Sequence, residues 1–267
     1  MYGSAAAKKA AIRKFTLSTA VPDWSSVAII DQYGKKTPPP GRNRLIDLQE
    51  KLVLEQPAVS IHFKVAPNPF AEGKESLVYH GYDYTNRRAM VFKQYKMVAA
   101  EFNTLDCYMK ELEIRTVAAA YASEFNCHKQ KPDIYSSPIE FTPVDIVQCQ
   151  GGGDCYLLEP FIAGKIIKFN NNSGVVCTNT PQTEMLQAFS HFTYVRSGKT
   201  LLVCDLQGVR EGHRILLTDP AIHSRSAPGN NYGSMDGGYN GIRKFFKTHI
   251  CSEVCRVMGL DKERPPV

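Results

Sequence analysis

The most specific chemistry in this sequence lies near its end, in His249-Ile250-Cys251-Ser252-Glu253-Val254-Cys255. Three soft ligands fall within seven residues. Cys251 and Cys255, spaced i and i+4, would share one side of a helix. A closed structural zinc site takes four nitrogen or sulfur ligands, and His191, in the apolar setting Ala188-Phe189-Ser190-His191-Phe192, is the candidate fourth. Alone, His191 reads as a core histidine and the cysteines as inert thiols. Together the four make a metal set.

A second constellation pairs two carboxylates. Asp205 follows the apolar run Leu201-Leu202-Val203-Cys204, and Asp219 follows Leu216-Leu217-Thr218. Gln207 faces the same way as Asp205 if the chain stays extended. Two acids and an amide oxygen suit Mg²⁺ with substrate phosphates. Singly, Asp219 before Pro220 reads as a turn residue and Asp205 as a strand end; the repeated context favours a site. Earlier, Phe70-Ala71-Glu72-Gly73-Lys74-Glu75-Ser76 separates strand-like segments, and Lys93 lies on the next one. Such a loop can lay N–H groups over phosphates that the lysine neutralises. With no Walker A or GxGxxG pattern, the segment by itself reads as a hairpin turn and a solvated lysine.

These groups need elements to position them. Alternation begins at Val59, Ile61 and Phe63, breaks at Pro67-Asn68-Pro69, and resumes over 76–82 and 88–95, predicting a hairpin series. Val98, Phe102, Leu105, Met109 and Leu112 have the spacing of an amphipathic helix over 98–125. Strands are expected at 143–148 and 155–161 about Gly151-Gly152-Gly153. A polar loop at 170–174, a helix over 183–196, buried strands at 201–204 and 215–217, and helical content over 238–259 complete the chain. Residues 1–57, with Thr37-Pro38-Pro39-Pro40-Gly41-Arg42-Asn43, read as an extension that wraps or precedes a domain. Strands with one long helix, then a helix-rich half, predict an α+β fold of two lobes with a cleft.

Composition narrows the function classes. With 43% hydrophobic and 22% charged residues among 267, disordered, collagen-like and coiled-coil readings are excluded for the bulk of the chain. No apolar run approaches the roughly 20 residues that span a bilayer, so no membrane insertion is expected. The first fifteen residues hold no continuous apolar stretch, and the expectation is a cytoplasmic protein without a secretory signal. Eight cysteines then read as metal ligands or free thiols. The net charge of +6 divides into +4 over residues 1–60 and +3 over 241–267, which leaves −1 in between. That is not the clustered basic stripe of a nucleic-acid surface, so nucleic acid is not an expected partner.

One family joins the pieces. The order Phe-Ala-Glu-Gly loop, strand Lys93, Leu158-Glu159-Pro160-Phe161, asparagine-rich loop, Gln187 to Tyr194, Asp205-Leu206-Gln207-Gly208, Leu217-Thr218-Asp219-Pro220, glycine-rich segment and His-x-Cys-x-x-x-Cys resembles the α-kinase family of atypical serine/threonine protein kinases. The match runs from about residue 57 to 260. It implies a bilobal, protein-kinase-like fold with ATP in the cleft: a β-rich N-lobe at about 58–160, a zinc-containing, helix-rich C-lobe at about 161–260, the extension 1–57 and a tail 261–267. By matching position, Lys93 would hold the α/β-phosphates, with Gly73, Lys74 and Ser76 in the phosphate loop. Glu159 and Phe161 would bind adenine, and Glu111, or else Glu113, would pair with Lys93. Asp205 would be base or metal ligand, with Gln207 and Asp219 completing the Mg²⁺ shell; the choice of base between the two aspartates stays open. His191, His249, Cys251 and Cys255 would bind zinc, and Gly233 to Gly238 would shape the substrate side.

Three departures stand out. Ser76 replaces an arginine, Met235 replaces a small residue, and Asp205 and Asp219 are 14 apart, with Arg210 to Arg214 read as a longer turn. None removes Lys93 or a metal ligand. The expected activity is therefore phosphoryl transfer from ATP to a protein serine or threonine. A nucleotide-binding pseudokinase scaffold and a zinc hydrolase are the alternatives; the second requires an open coordination position.

Overall fold

The computed structural model describes residues 14, 16–26, 31–37, 58–96, 104–128, 137–150, 154–225 and 231–262. In chain order come β1 (Gln32–Thr37), β2 (Val59–Val65), β3 (Ala71–Glu72), β4 (Ser76–Asp83), β5 (Arg88–Tyr95), α1 (Leu105–Asn126), β6 (Ile139–Phe141), β7 (Asp145–Cys149), β8 (Cys155–Pro160) and β9 (Ile167–Lys168). There follow α2 (Pro181–Arg196), β10 (Leu201–Cys204), β11 (Gln207–Glu211), β12 (Arg214–Thr218), β13 (Ala221–Ser224), α3 (Gly238–Thr248), α4 (Glu253–Val257) and a 3-10 turn at Leu260–Lys262. Among the described residues, no helix is long and apolar enough to cross a membrane.

The described residues fall into two compact units, one within Met1–Pro39, Leu54–Met109 and Val144–Phe161, the other within Lys110–Pro143 and Ile162–Val267. The first is a closed antiparallel sheet. Its order is β2-β1-β7-β8-β5-β4, and β2 pairs again with β4, which removes the open edges; β3 adds to β4. Inward residues Ile61, Phe63, Val65, Met90, Phe92, Val147, Tyr156 and Leu158 form its core, where Phe63 and Phe92 stack at 5.0 Å. Gly81 is needed there, because a Cβ would run into the Phe92 ring.

Two expectations change. The extension drawn as 1–57 contributes β1, which bridges β2 and β7. Gln-Tyr-Gly-Lys-Lys-Thr has no apolar alternation, so only pairing on both sides makes it a strand. The N-lobe is also not the continuous span 58–160, since Lys110 to Pro143 belongs to the second unit. Leu45 to Leu54, the proline cluster from Pro38 on, Gly151 to Gly153, Val98 and Phe102 lie outside the described residues.

The second unit is built around α2. Thr180 caps this helix, its hydroxyl accepting from the Thr183 N–H at 3.2 Å, and Pro181 begins it. Every residue from Met185 to Tyr194 is buried. The β10–β13 ribbon lies between two cores. Val203, Leu206 and Ile222 join Leu186, Phe189 and Phe192 in one; Leu202, Cys204 and Ala221 join Ile242, Phe245 and Phe246 in the other. A strand buried on both faces reads as an unbroken apolar run, which is why Leu-Leu-Val-Cys is legible in sequence. On α1 the buried line is Tyr108, Leu112, Arg115, Ala118, Ala122 and Phe125. Leu105 instead is exposed, so the apolar spacing read from Val98 onward locates the helix but not its buried side. The helical content expected over 238–259 is two helices broken at His249 to Ser252.

Candidate active site

One hairpin register brings the two aspartates together. Cys204 faces Ala221 in the β10–β13 ladder, and Gln207 faces Thr218 in the β11–β12 ladder. The two ladders are therefore one hairpin, with Asp205 opposite Pro220 and Leu206 opposite Asp219 at its centre. Pairing lapses there, where the chain kinks: Asp205 has φ 60° and Asp219 φ 50°. A left-handed conformation costs a side-chain-bearing residue roughly 1–2 kcal/mol, with Asp and Asn tolerating it best. Asp205 and Gln207 thus do not lie on one extended run as expected; the chain turns at Asp205 before β11 begins. Nor is Arg210 to Arg214 a long turn. Glu211 pairs with Arg214 across a two-residue turn of Gly212 and His213, with Gly212 at φ 60°. The 14-residue separation is spent on the hairpin itself. Gly208 is obligatory in it, because a Cβ would meet the Leu216 carbonyl.

A polar frame holds the kink. Asn170 Oδ1 accepts from the Leu206 N–H at 2.8 Å, and its Nδ2 donates to Gln187 Oε1 at 3.1 Å. The Phe169 N–H donates to the Leu206 carbonyl at 2.9 Å. Lys168 Nζ lies 2.9 Å from Asp205 Oδ1, the lysine 44% exposed and the aspartate 10%. Asp219 accepts from Arg115 Nη2 at 2.5 Å, and here the cation is the buried partner, at 4% against 43%. Arg115 Nη1 also donates to Thr142 Oγ1 at 2.7 Å. Lys168, Asn170 and Arg115 were not among the expected site residues. A charged residue on the buried line of α1 marks Arg115, once the phase of that helix is known. Asn170 lies in the asparagine-rich loop of the family order with nothing there to single it out, and Lys168, between Ile167 and Phe169, carries no such signal.

In the first unit, Lys93 Nζ lies 2.9 Å from Glu159 Oε1, both side chains buried. Lys93 faces Leu157 across β5 and β8; Glu159, two residues on, projects from the same face, within diagonal reach. Phe161 follows the end of β8, 46% exposed, its ring 6.4 Å from Phe70 and 5.9 Å from His80. The Gly73 N–H donates to the Ser76 carbonyl at 2.9 Å, closing a tight β3–β4 turn with Lys74 exposed and Ser76 opening β4. Glu111 and Glu113 are half-buried on α1. They belong to the second unit, and burial pushes the Glu113 carboxyl up.

The four soft ligands converge in the second unit. His191 Nδ1 is 3.2 Å from His249 Nε2; Cys251 Sγ is 3.8 Å from the first and 3.7 Å from the second; Cys255 Sγ is 3.5 Å from His249 Nε2. All four ligand atoms lie within 4.8 Å of one another. A tetrahedral ion with Zn–N of about 2.0–2.1 Å and Zn–S of about 2.3 Å needs N–N edges of about 3.3 Å and N–S edges of about 3.6 Å. The observed spacings match, so the set can hold such an ion. The shared-helix argument for the cysteines does not hold, because α4 starts at Glu253. His249 caps the C-terminus of α3, and the break between α3 and α4 wraps Cys251 back. Burial pushes the Cys255 thiol up to about 11.

Comparison with known proteins agrees with this architecture. The family model described as Alpha-kinase family matches residues 71–255. The chain is 37% identical over 206 residues to alpha-protein kinase vwkA of Dictyostelium discoideum, covering 76% of this chain and 32% of that one. It is 32% identical over 208 residues to human eukaryotic elongation factor 2 kinase, covering 74% and 26%. The chain thus spans a third or less of the length of these relatives. The alpha-kinase domain of myosin-II heavy chain kinase A in complex with AMP-PNP superposes with a TM-score of 0.72 at 27% identity, over 89% of this chain and 98% of that one. An alpha kinase from Entamoeba histolytica shares the fold, with a TM-score of 0.73 at 24% identity over 89% and 94%. With the family model matched from β3 through the kinked hairpin to the His/Cys cluster, this chain belongs to the alpha-kinase family.

Proposed function

We propose that this chain is an ATP-dependent protein kinase that transfers the γ-phosphoryl group to a serine or threonine hydroxyl of a protein. What supports this reading is the kinked hairpin, whose register puts Asp205 and Asp219 at neighbouring positions on its two strands, in a chain of this family. Phosphoryl transfer asks a protein chiefly for positioning and charge neutralisation. Lys93, held by Glu159, supplies positive charge for the α/β-phosphates, and we assign Glu111 to support it. Gly73, Lys74 and Ser76 offer phosphate contacts from the β3–β4 turn. Glu159 and Phe161 mark the adenine end of the site. The AMP-PNP complex of a relative supports ATP as donor.

Asp205, Gln207 and Asp219 present hard oxygens and would hold Mg²⁺, which neutralises phosphate charge when bound. The two aspartates differ in their partners. Asp205 pairs with an exposed lysine that can swing aside, whereas Asp219 is tied to a buried arginine. We therefore assign Asp205 to accept the proton of the attacking hydroxyl and Asp219 to be the fixed ligand. His191, His249, Cys251 and Cys255 would hold a structural zinc; four protein ligands make a closed site and argue against a hydrolase.

Transfer of radiolabel from γ-labelled ATP to a basic, threonine-containing peptide tests the reading. Wild-type transfer with loss in Asp205→Asn and Asp219→Asn is expected. Nucleotide binding without transfer supports the scaffold alternative, for which Ser76 in place of an arginine is the motive.

A further inference from the structure

His223 has no part in the reaction as proposed, yet it is tightly held. It lies on β13, 2% exposed. Its Nδ1 takes a hydrogen bond from the Gly237 N–H at 2.9 Å, and its Nε2 is 2.7 Å from the Asn172 carbonyl. A backbone N–H only donates and a carbonyl only accepts, so both bonds form together only in the neutral Nε2–H tautomer. The ring sits in a slot made by two glycines at the start of α3. A Cβ on Gly237 would come within 3.3 Å of the ring, and one on Gly241 within 2.5–2.6 Å of three ring atoms. Glycine weakens a helix interior; at Gly241 the imidazole is the reason for it.

The two partners of His223 belong to functional segments. Asn172 is in the asparagine-rich turn whose other end, Asn170, holds the Asp205–Leu206 kink. Gly237 is in the glycine-rich segment. Asn172 is gripped a second time, its Nδ2 lying 3.6 Å from the Met235 sulfur. The Asp236 carboxylate fixes the same segment, accepting from the N–H groups of Ser224 and Gly238 at 2.9 and 2.8 Å and from the Ser224 hydroxyl at 2.6 Å. The chain of contacts thus runs from the kink at Asp205, where the acceptor hydroxyl would lose its proton, through Asn170, Asn172 and His223 to the glycine-rich segment.

We propose that His223 is a positioning residue for the acceptor peptide: its neutral ring sets the spacing between the asparagine-rich turn and the glycine-rich segment, with Met235 as a second anchor. This rests on the kinase reading. The test compares KM for peptide and for ATP in wild type, His223→Leu, which keeps apolar bulk without donor or acceptor, His223→Gln, which can accept and donate, and Met235→Ala. Loss of two buried hydrogen bonds predicts at least a tenfold rise in peptide KM for His223→Leu. ATP KM should stay within about twofold, with partial recovery in His223→Gln and a smaller shift of the same kind in Met235→Ala. Should His223→Leu fail to fold, judged by circular dichroism and zinc content, the other two variants decide. Peptide KM unchanged, or both KM values shifted alike, overturns the proposal. Nitrogen-15 NMR of wild type adds a readout independent of variants: the Nε2–H tautomer is required, and an Nδ1–H ring or an imidazolium at neutral pH overturns it. Absence of any transfer by wild type overturns the kinase reading and this proposal together, whereas active wild type with an indifferent His223 overturns this proposal alone.

Discussion

Truncating Asp219 and truncating Arg115 remove the same ion pair, but the structure predicts unequal costs. Arg115 is 4% exposed and Asp219 43%. In Asp219→Ala the arginine keeps its buried charge with Thr142 as a remaining acceptor. Breaking a fully buried pair costs about 3–5 kcal/mol; the half-solvated aspartate and the surviving hydrogen bond reduce this to about 2–3. In Arg115→Met the exposed carboxylate returns to water and the apolar stem of the side chain is replaced, so about 1–1.5 kcal/mol is expected. Asp219→Asn keeps an oxygen to accept from Arg115 and should cost less than about 1 kcal/mol. For a domain of this size, Asp219→Ala then lowers Tm by roughly 5–10 °C. Urea unfolding of the three variants and the double variant Arg115→Met/Asp219→Ala checks this, with zinc content as a control. The double variant should be no less stable than Asp219→Ala alone. Arg115→Met at least as destabilising as Asp219→Ala would refute the reasoning that the buried partner sets the cost. The same series supplies the better activity probe, because Asp219→Asn should abolish transfer while leaving the fold in place.

Other outcomes follow from the same geometry. Lys93→Met should lower transfer about 10²-fold and destabilise by about 3 kcal/mol, because it removes the cation 2.9 Å from the buried carboxylate of Glu159; adding Glu159→Gln should raise the melting temperature again but not the activity. Elemental analysis should find one zinc per chain, absent in Cys255→Ser, and chelation should lower Tm by more than about 10 °C. Burial raises the Cys255 thiol to about 11, so an ion binding there must displace a proton, and affinity should fall as pH falls; pH-independent binding argues against thiolate ligation. Burial also lowers the pKa of His223 below its ordinary 6.5. The unfolded chain therefore binds more protons at this site below about pH 6.5, and stability present above that pH is lost as pH falls through the folded value. The slope of Tm against pH between 5 and 7 should flatten in His223→Gln.

Patterns set by local physics were legible in the sequence, and those set by long-range pairing were not. The doubly buried strand at Leu201 to Cys204, the helix read over 183–196 and the hairpin read at 76–82 and 88–95 announce themselves because burial leaves a mark on every residue involved. Asp205 and Asp219 stand out only by their repeated context and the His/Cys set by its spacing, whereas Lys93 is singled out by the family resemblance alone. Tertiary structure alone decided three things. β1 is polar and becomes a strand only because β2 and β7 offer it backbone partners on both edges. The adjacency of Asp205 and Asp219 depends on a register shared by two ladders and on two left-handed residues that no periodicity encodes. The partners that give the aspartates different characters, Lys168 beside one and Arg115 beside the other, come from β9 and α1, 37 and 104 residues away in sequence. Local composition reports what a residue is buried in. Which charge lies across from it is settled only when the chain closes.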